Sequence, residues 1–446
     1  MYKSESRIQL LMGLMLTGLW VLPCFADSQV RIVRLSDVQG EVQVDRQTGQ
    51  GFEKAFLNLP ITQGMKIRTG SDGRASIQFE DASSVRIVPN SVIEFSQLSL
   101  RDSGGKLSEV RVQEGAAYVN FLGSKDDVMT LTFVREKVTL NHAAHLRIDV
   151  GDADATVAVF KGDAEVAGPS GTVQVGKNHT ASFDLVANDR HQLVGYIDQE
   201  PFDSWDKHQN EFDDVYAAKG QSNYSPYAYG NSDLNYYGNF ANVPGYGMLW
   251  QPYMAGAGWD PFMNGAWAFN PGFGYGWVSG YPWGWTPFHS GSWIYAGGYG
   301  WGWQPGPGWM GLNPLPVVVN APNGFVAPRS PMLPGQRIIV ANRGPVPTLV
   351  GRSTGKLEIP RNSAGLGIAR GSIKNLGELS QTVQLHGAVT TRVPSAPVSF
   401  SGSPGGARSQ NAVGWGGAGS SASSAAASSS GRVSTGSGHV AAGPHR

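Results

Sequence analysis

A single cysteine, Cys24, stands in 446 residues. It lies in an N-terminal stretch that reads as a signal peptide over residues 1–26. Lys3 and Arg7 make the positive start, Ile8 to Leu22 the apolar run, and Pro23-Cys24-Phe25-Ala26 an exit ending on a small residue. Cleavage after Ala26 removes the only thiol. Disulfides, thiolate metal sites and cysteine nucleophiles are thereby excluded from the mature chain. Beyond this stretch no run reaches 18 continuous apolar residues, so no transmembrane helix is expected once the signal is removed. The expected location is periplasmic or secreted.

Charge is the second thing missing, and it is missing locally. No Lys or Arg occurs between Lys219 and Arg329, and residues 221–328 hold only Asp233 and Asp260 as acids. The formal net charge of zero conceals an acidic front and a basic end. Residues 27–220 carry 20 basic against 29 acidic side chains, and residues 329–446 carry 12 against two. Phosphate binding needs Lys or Arg beside aromatic rings, so the uncharged middle excludes nucleic acid as its partner. With 60 Gly and 27 Pro, much of the chain is also not ordinary core-forming sequence.

Residues 30–185 show short β-branched runs between turn residues at about ten-residue spacing, the pattern of an all-β domain. Glu41-Val42-Gln43-Val44, Ala75-Ser76-Ile77-Gln78-Phe79, Val85-Arg86-Ile87-Val88 and Val157-Ala158-Val159-Phe160 are such runs. Thr69-Gly70-Ser71-Asp72-Gly73, Pro89-Asn90, Gln113-Glu114-Gly115 and Lys161-Gly162-Asp163 read as turns. One buried face per strand predicts a compact sandwich or roll.

The segment from Ile61 to Asp81, centred on Arg68-Thr69-Gly70-Ser71-Asp72-Gly73-Arg74-Ala75, resembles the central motif of the FecR domain. Val112 to Val119 and Val157 to Val166 resemble that family's following strands. Asp81-Ala82-Ser83 departs from the family's usual Asp-Gly-Ser, and Asn141 to His145 departs from its usual apolar approach to the next strand. The resemblance implies a β fold outside the cytoplasm. Its signalling members carry a sigma-factor-binding segment and a membrane helix ahead of this domain, where only a signal peptide is read here. Sigma-factor regulation is therefore not part of the expectation.

Residues 198–220 are acidic with Trp205, Phe212 and Tyr216 at helical spacing. They read as a helical connector packed on a neighbouring domain, its carboxylates on a solvated face. Residues 236–310 then repeat. Gly258-Trp259-Asp260-Pro261-Phe262 returns 26 residues later as Gly284-Trp285-Thr286-Pro287-Phe288. Gly-aromatic-Gly-x-x-Trp occurs at Gly245–Trp250, Gly272–Trp277 and Gly298–Trp303. The unit reads as a Gly-aromatic strand followed by a Trp-Pro-Phe turn.

Alternation of large rings with small residues puts the rings on one strand face. This stretch resembles Trp/Gly/Pro-rich modules of unknown function that follow FecR-like domains. Two readings stay open for Trp259, Trp267, Trp277, Trp285, Trp293, Tyr295, Trp301 and Trp303: a stacked core, or a ligand platform for sugar rings or another protein's aromatics. Residues 311–446 read as a basic, low-complexity tail, Pro-rich and then Ser/Gly/Ala-rich, mostly disordered. Gln336 to Val340 is expected to pair as a strand with the preceding module.

Four patterns mimic chemistry. Gly351-Arg352-Ser353-Thr354-Gly355 has the spacing of a nucleophile elbow, but prolines flank it where a strand and a helix are required. Gly171 to Lys177 mimics a phosphate loop, with Asn178 where a hydroxyl is needed. His142 and His145 would point to opposite faces of a strand, which disfavours a shared metal. The carboxylates of 198–214 show no acid/base pairing. No cofactor, metal or catalytic residue is expected. The sequence supports a non-catalytic envelope binding or scaffold protein whose partner is a polysaccharide or an envelope protein. The alternative is an extracytoplasmic regulator of the FecR type acting through a membrane partner. Oligomeric state is left open.

Overall fold

A computed structural model describes residues 31–187, 190–217, 227–306, 308–312, 315–332, 337–343 and 355–393. The signal segment, residues 351–354 of the Gly351–Gly355 motif and the Ser/Gly/Ala-rich stretch from 401 lie outside the described residues. Strands dominate, as the alternation predicts.

The first domain is a two-layer sandwich. One sheet runs β4 (Pro60–Ile61), β1 (Val33–Gln39), β6 (Arg74–Gln78), β7 (Ser84–Ile87), the end of β9 (Lys106–Phe121), β12 (Ala144–Val150), β13 (Asp154–Lys161), β16 (His179–Asp184) and β17 (Arg190–Val194). The other runs β3 (Phe52–Lys54), β2 (Val42–Asp45), β5 (Lys66–Thr69), β8 (Val92–Leu100), the start of β9, β10 (Val128–Phe133), β11 (Glu136–Leu140), β14 (Asp163–Gly168) and β15 (Gly171–Gly176). Between them Leu35, Ile67, Ile77, Val112, Leu131 and Ile148 are among the residues fully buried in one apolar core. The domain extends one strand past the expected end at 185, because β17 pairs with β16.

The residues Gln113-Glu114-Gly115, expected as a turn, are instead a corner inside β9. Residues before it pair in one sheet and residues after it in the other. Gly115 has φ +77, and a Cβ there would lie 2.4 Å from the Asn90 carbonyl oxygen, so only glycine makes the corner. At Gly73 of the central motif a Cβ would lie 2.0 Å from the Glu41 carbonyl oxygen, which accounts for glycine after Asp72 by close approach.

A helix, α1 (Asp203–Ala217), leads to the aromatic module. There α2 (Asn231–Tyr237), β18 (Gly238–Val243), β19 (Gly247–Pro252), β20 (Asn264–Asn270), β21 (Gly274–Ser279), α3 (Thr286–His289), β22 (Ser292–Ala296), β23 (Gly300–Gln304), β24 (Val317–Val319) and β25 (Ile339–Asn342) follow in order. The Gly-aromatic-Gly element, expected within a strand, forms hairpin turns: Gly245 and Gly247, Gly272 and Gly274, Gly298 and Gly300 all have positive φ.

The β18–β19 and β22–β23 hairpins join through Trp250 opposite Trp303. Gln251 Nε2 donates to the Tyr299 carbonyl (2.8 Å) and Gln304 Nε2 to the Tyr246 carbonyl (3.1 Å), so each hairpin holds the tip of the other. β25 pairs with β20, so the strand expected over Gln336 to Val340 forms further on, at Ile339–Asn342; Gln336 lies outside the described residues.

Part of the tail expected to be mostly disordered is folded. Residues 355–393 fold as the hairpin β26 (Lys356–Pro360) and β27 (Ala388–Arg392), with α4 (Leu376–His386) between them. Leu357, Ile359, Ile368, Leu376 and Val383 complete the aromatic core. Their spacing is that of a short strand and a short helix. It is diluted by the Ser/Gly/Ala composition around it.

Candidate functional site at the junction of the two modules

Apolar residues at alternate positions of β1, β7, β9 and β12 face the sandwich core, so Arg34, Arg86, Tyr118, His145 and Arg147 point out of the sheet. Arg86 lies opposite Tyr118, and Tyr118 opposite Arg147, in one cross-strand row. Such a row ordinarily meets water. Here α1 lies across it.

Asp203, Asp206, Asn210 and Asp213 share one face of α1 and meet that row. Tyr118 Oη donates to Asp203 (2.8 Å), which also accepts from Arg147 Nη1 (2.7 Å). Arg86 Nη1 donates to Asp206 (2.7 Å) and Asn210 (2.8 Å), and its Nη2 to Asp213 (3.2 Å). His145 Nε2 lies 2.6 Å from Asp206 Oδ2. Trp205 packs on Val88 and Tyr118 beneath the Arg74 guanidinium, while Phe212 and Tyr216 turn to Tyr236 of the module. Of the carboxylates expected on a solvated face, Asp203, Asp206 and Asp213 therefore turn inward, while Asp198, Glu200, Glu211 and Asp214 are exposed as expected. Helical spacing located the face, but the cations that cover it come from strands 56 to 127 positions away.

A second cluster joins three segments. Asp233 of α2, one of two acids in the uncharged middle, accepts from Arg34 Nη2 (2.7 Å) and bidentately from Arg370 (2.9 and 2.8 Å). Arg34 also donates to Asn58 and to the Pro282 carbonyl, and Asn58 donates to the carbonyls of Ser279 and Tyr281. Arg46 adds a bond to the Phe269 carbonyl. The module is thus held largely by charged and amide side chains that read its backbone.

Burial alone would raise the Asp206 carboxyl, but the His145 contact and the Arg86 charge outweigh it and hold it below its ordinary value. Burial wins at Asp213 and Asp37, whose carboxyls are raised despite Arg370 nearby. Burial, then the bond to Asp203, pushes the Tyr118 hydroxyl up, which keeps it a donor. The groups are turned on one another rather than on a cleft. A cleft of about 400 Å³ opens beside the Val88–Asn90 turn, and its Asp149 is engaged by Arg147 Nε (2.7 Å) and Thr156 Oγ1 (3.3 Å). The chemistry of the junction is that of alignment.

The rings expected as a ligand platform are placed elsewhere. Trp259, Trp267, Trp277, Trp285, Trp293, Trp301 and Trp303 are buried, and only Tyr295 stays half-exposed. Trp283, stacked on Tyr281 at 4.9 Å, contacts Trp250, Trp259 and Trp293 and donates from Nε1 to the Ala364 carbonyl (2.6 Å). The physical reason is scarcity: a module with few aliphatic residues of its own relies mainly on its rings to exclude water. His142 and His145 meet different acids, Asp163 and Asp206, while Gly171–Gly176 is strand β15.

The fold and this junction define an all-β, two-module protein whose parts are aligned by buried ion pairs. Residues 65–165 match the FecR protein family, and residues 231–327 match a family of unknown function, DUF6600. The chain carries a FecR domain followed by a DUF6600 module. No curated protein matches it. Two crystal structures of a candidate anti-sigma factor from Parabacteroides distasonis are similar at 16% and 17% identity, with TM-scores of 0.26 and 0.27. The matches cover 29% and 31% of this chain and 59% and 63% of those chains, under two thirds of their length. FecR proteins are associated with the bacterial envelope, and among the described residues no helix is long and apolar enough to cross a membrane.

Proposed function

We propose that this protein is a non-catalytic regulator of the FecR type, acting in the envelope through a protein partner. The observation that carries the reading is the FecR match over residues 65–165, in a domain whose second sheet carries exposed polar side chains on β9 and β11. Arg111, Gln113 and Lys137 stand exposed on that sheet. α1 lies on the opposite sheet, and the DUF6600 module reaches this one at its β2 edge through Arg46 and Gln50, so the exposed polar side chains of β9 and β11 are where a partner has access. The burial of the seven indoles argues against the glycan platform.

Photo-cross-linking in cells from Arg111 or Lys137 is expected to recover one membrane protein of the envelope, and deletion of the gene to change the expression of a small set of genes. Adducts with the chain alone, together with an unchanged transcript profile, would remove the regulatory reading.

A further inference from the structure

Residues 315–332 and 337–343 supply an edge strand to each of the two sheets of the aromatic module, β24 to one and β25 to the other. β24 pairs with β22, with Val318 packed on the aromatic core and Val317 and Val319 turned away from it. β25 pairs with β20 and leaves Ile339 and Val340 exposed. Sixteen large apolar side chains stand exposed among the described residues. Six of them fall in this one segment: Val317, Val319, Val326, Met332, Ile339 and Val340, with exposures from 37% to 97%. Scattered singly, such residues need no explanation, but this concentration does.

The same segment carries Arg329, Arg337 and Arg343, all exposed, and no Asp or Glu occurs between Asp260 and Glu358. Arg337 Nε donates to the neutral Gln50 amide (3.3 Å), while Arg343 lies 3.4 Å from Asp260. Exposed apolar side chains interleaved with arginines, without acids, match the chemistry of an anionic lipid surface. Apolar groups enter the headgroup boundary and guanidiniums meet lipid phosphates. A second copy meeting this segment with its own would bring the same arginines and be repelled, and a neutral glycan would leave the arginines unused.

We propose that residues 315–332 and 337–343 form a membrane-contact strap that seats the protein on an anionic lipid surface without spanning it. The inference is independent of the regulatory reading.

The test is co-sedimentation of the full chain from residue 27 with phosphatidylglycerol or phosphatidylcholine vesicles, with the oligomeric state measured in parallel. The expected result is a monomer that binds phosphatidylglycerol, more weakly at high salt. Each basic group near such a surface is worth about fivefold in affinity. Arg329→Glu with Arg337→Glu should therefore weaken binding about 30-fold or more without changing the fold, since both side chains are exposed. Val317→Ser with Val340→Ser should weaken it as well. Equal binding to both lipids, no binding, or a charge-reversed variant that binds like the wild type overturns the proposal. So does a dimer that Val317→Ser with Val340→Ser converts to monomer, which would assign the strap to a second copy.

Discussion

Replacing Arg86 tests the alignment argument most directly. Its guanidinium is 1% exposed and serves Asp206, itself 1% exposed, together with Asp213 and Asn210. Arg86→Ala leaves a buried carboxylate facing Asn210 and His145 only. Truncating one member of a buried pair costs about 3–5 kcal/mol, because the other charge stays desolvated. At about 2 °C per kcal/mol for a body of this size, the melting temperature should fall by about 6–10 °C. Urea unfolding followed by indole fluorescence reads the loss. The comparison is Lys207→Ala, on the exposed face of α1, where the pair with Glu211 is 75% and 55% exposed and the change should stay within about 0.5 kcal/mol. Arg86→Ala combined with Asp206→Ala should recover part of the deficit. An Arg86→Ala loss below about 1 kcal/mol, or strict additivity of the two substitutions, would refute the coupling of α1 to the sheet.

Trp293→Ala should destabilise the module by about 3–5 kcal/mol, broadening or splitting its unfolding transition, since the ring is fully buried among Trp259, Trp283 and Phe288; a fold as stable as wild type would return the ring to the surface. His289 is held down to about 4 by burial, so the folded state binds fewer protons than the unfolded state between that value and about 6.5. Stability should therefore fall as pH drops through this window, by about 3 kcal/mol at full extent, and His289→Phe should flatten that slope in urea titrations. Asp206, with its depressed carboxyl, contributes stability above the unfolded value of about 3.9 that is lost on further acidification, and Asp206→Asn should remove that acid limb. Limited proteolysis should leave a stable body ending beyond His386, because α4 and β26 close the aromatic core; a resistant fragment ending near 220 or 310 would show that they do not.

The β domain was legible because alternation and turn residues are local signals, each strand declaring one buried face. The ordering of Arg68 to Ala75 likewise carried the FecR resemblance. The corner at Gly115 was read as a turn because positive φ is common to both. Only pairing on two different sheets separates them. The fate of the tryptophans could not be decided along the chain. Trp267 and Trp293 alternate with small residues whether their face meets water or other rings, and segment 355–393, far off in sequence, helps close that core.

By itself, then, the sequence determined the all-β class, the two modules and their order, since periodicity, turn chemistry and the 26-residue repeat are written in consecutive residues. Tertiary structure alone decided what each charge and ring does. Asp203, Asp206 and Asp213 were indistinguishable from a solvated helix face until Arg86 and Arg147 lay across them, and Asp233 was a stray acid until Arg34 and Arg370 met on it. Burial and pairing are properties of what the fold brings within a few ångströms, and those partners stand as far apart in the chain as Arg34 and Asp233.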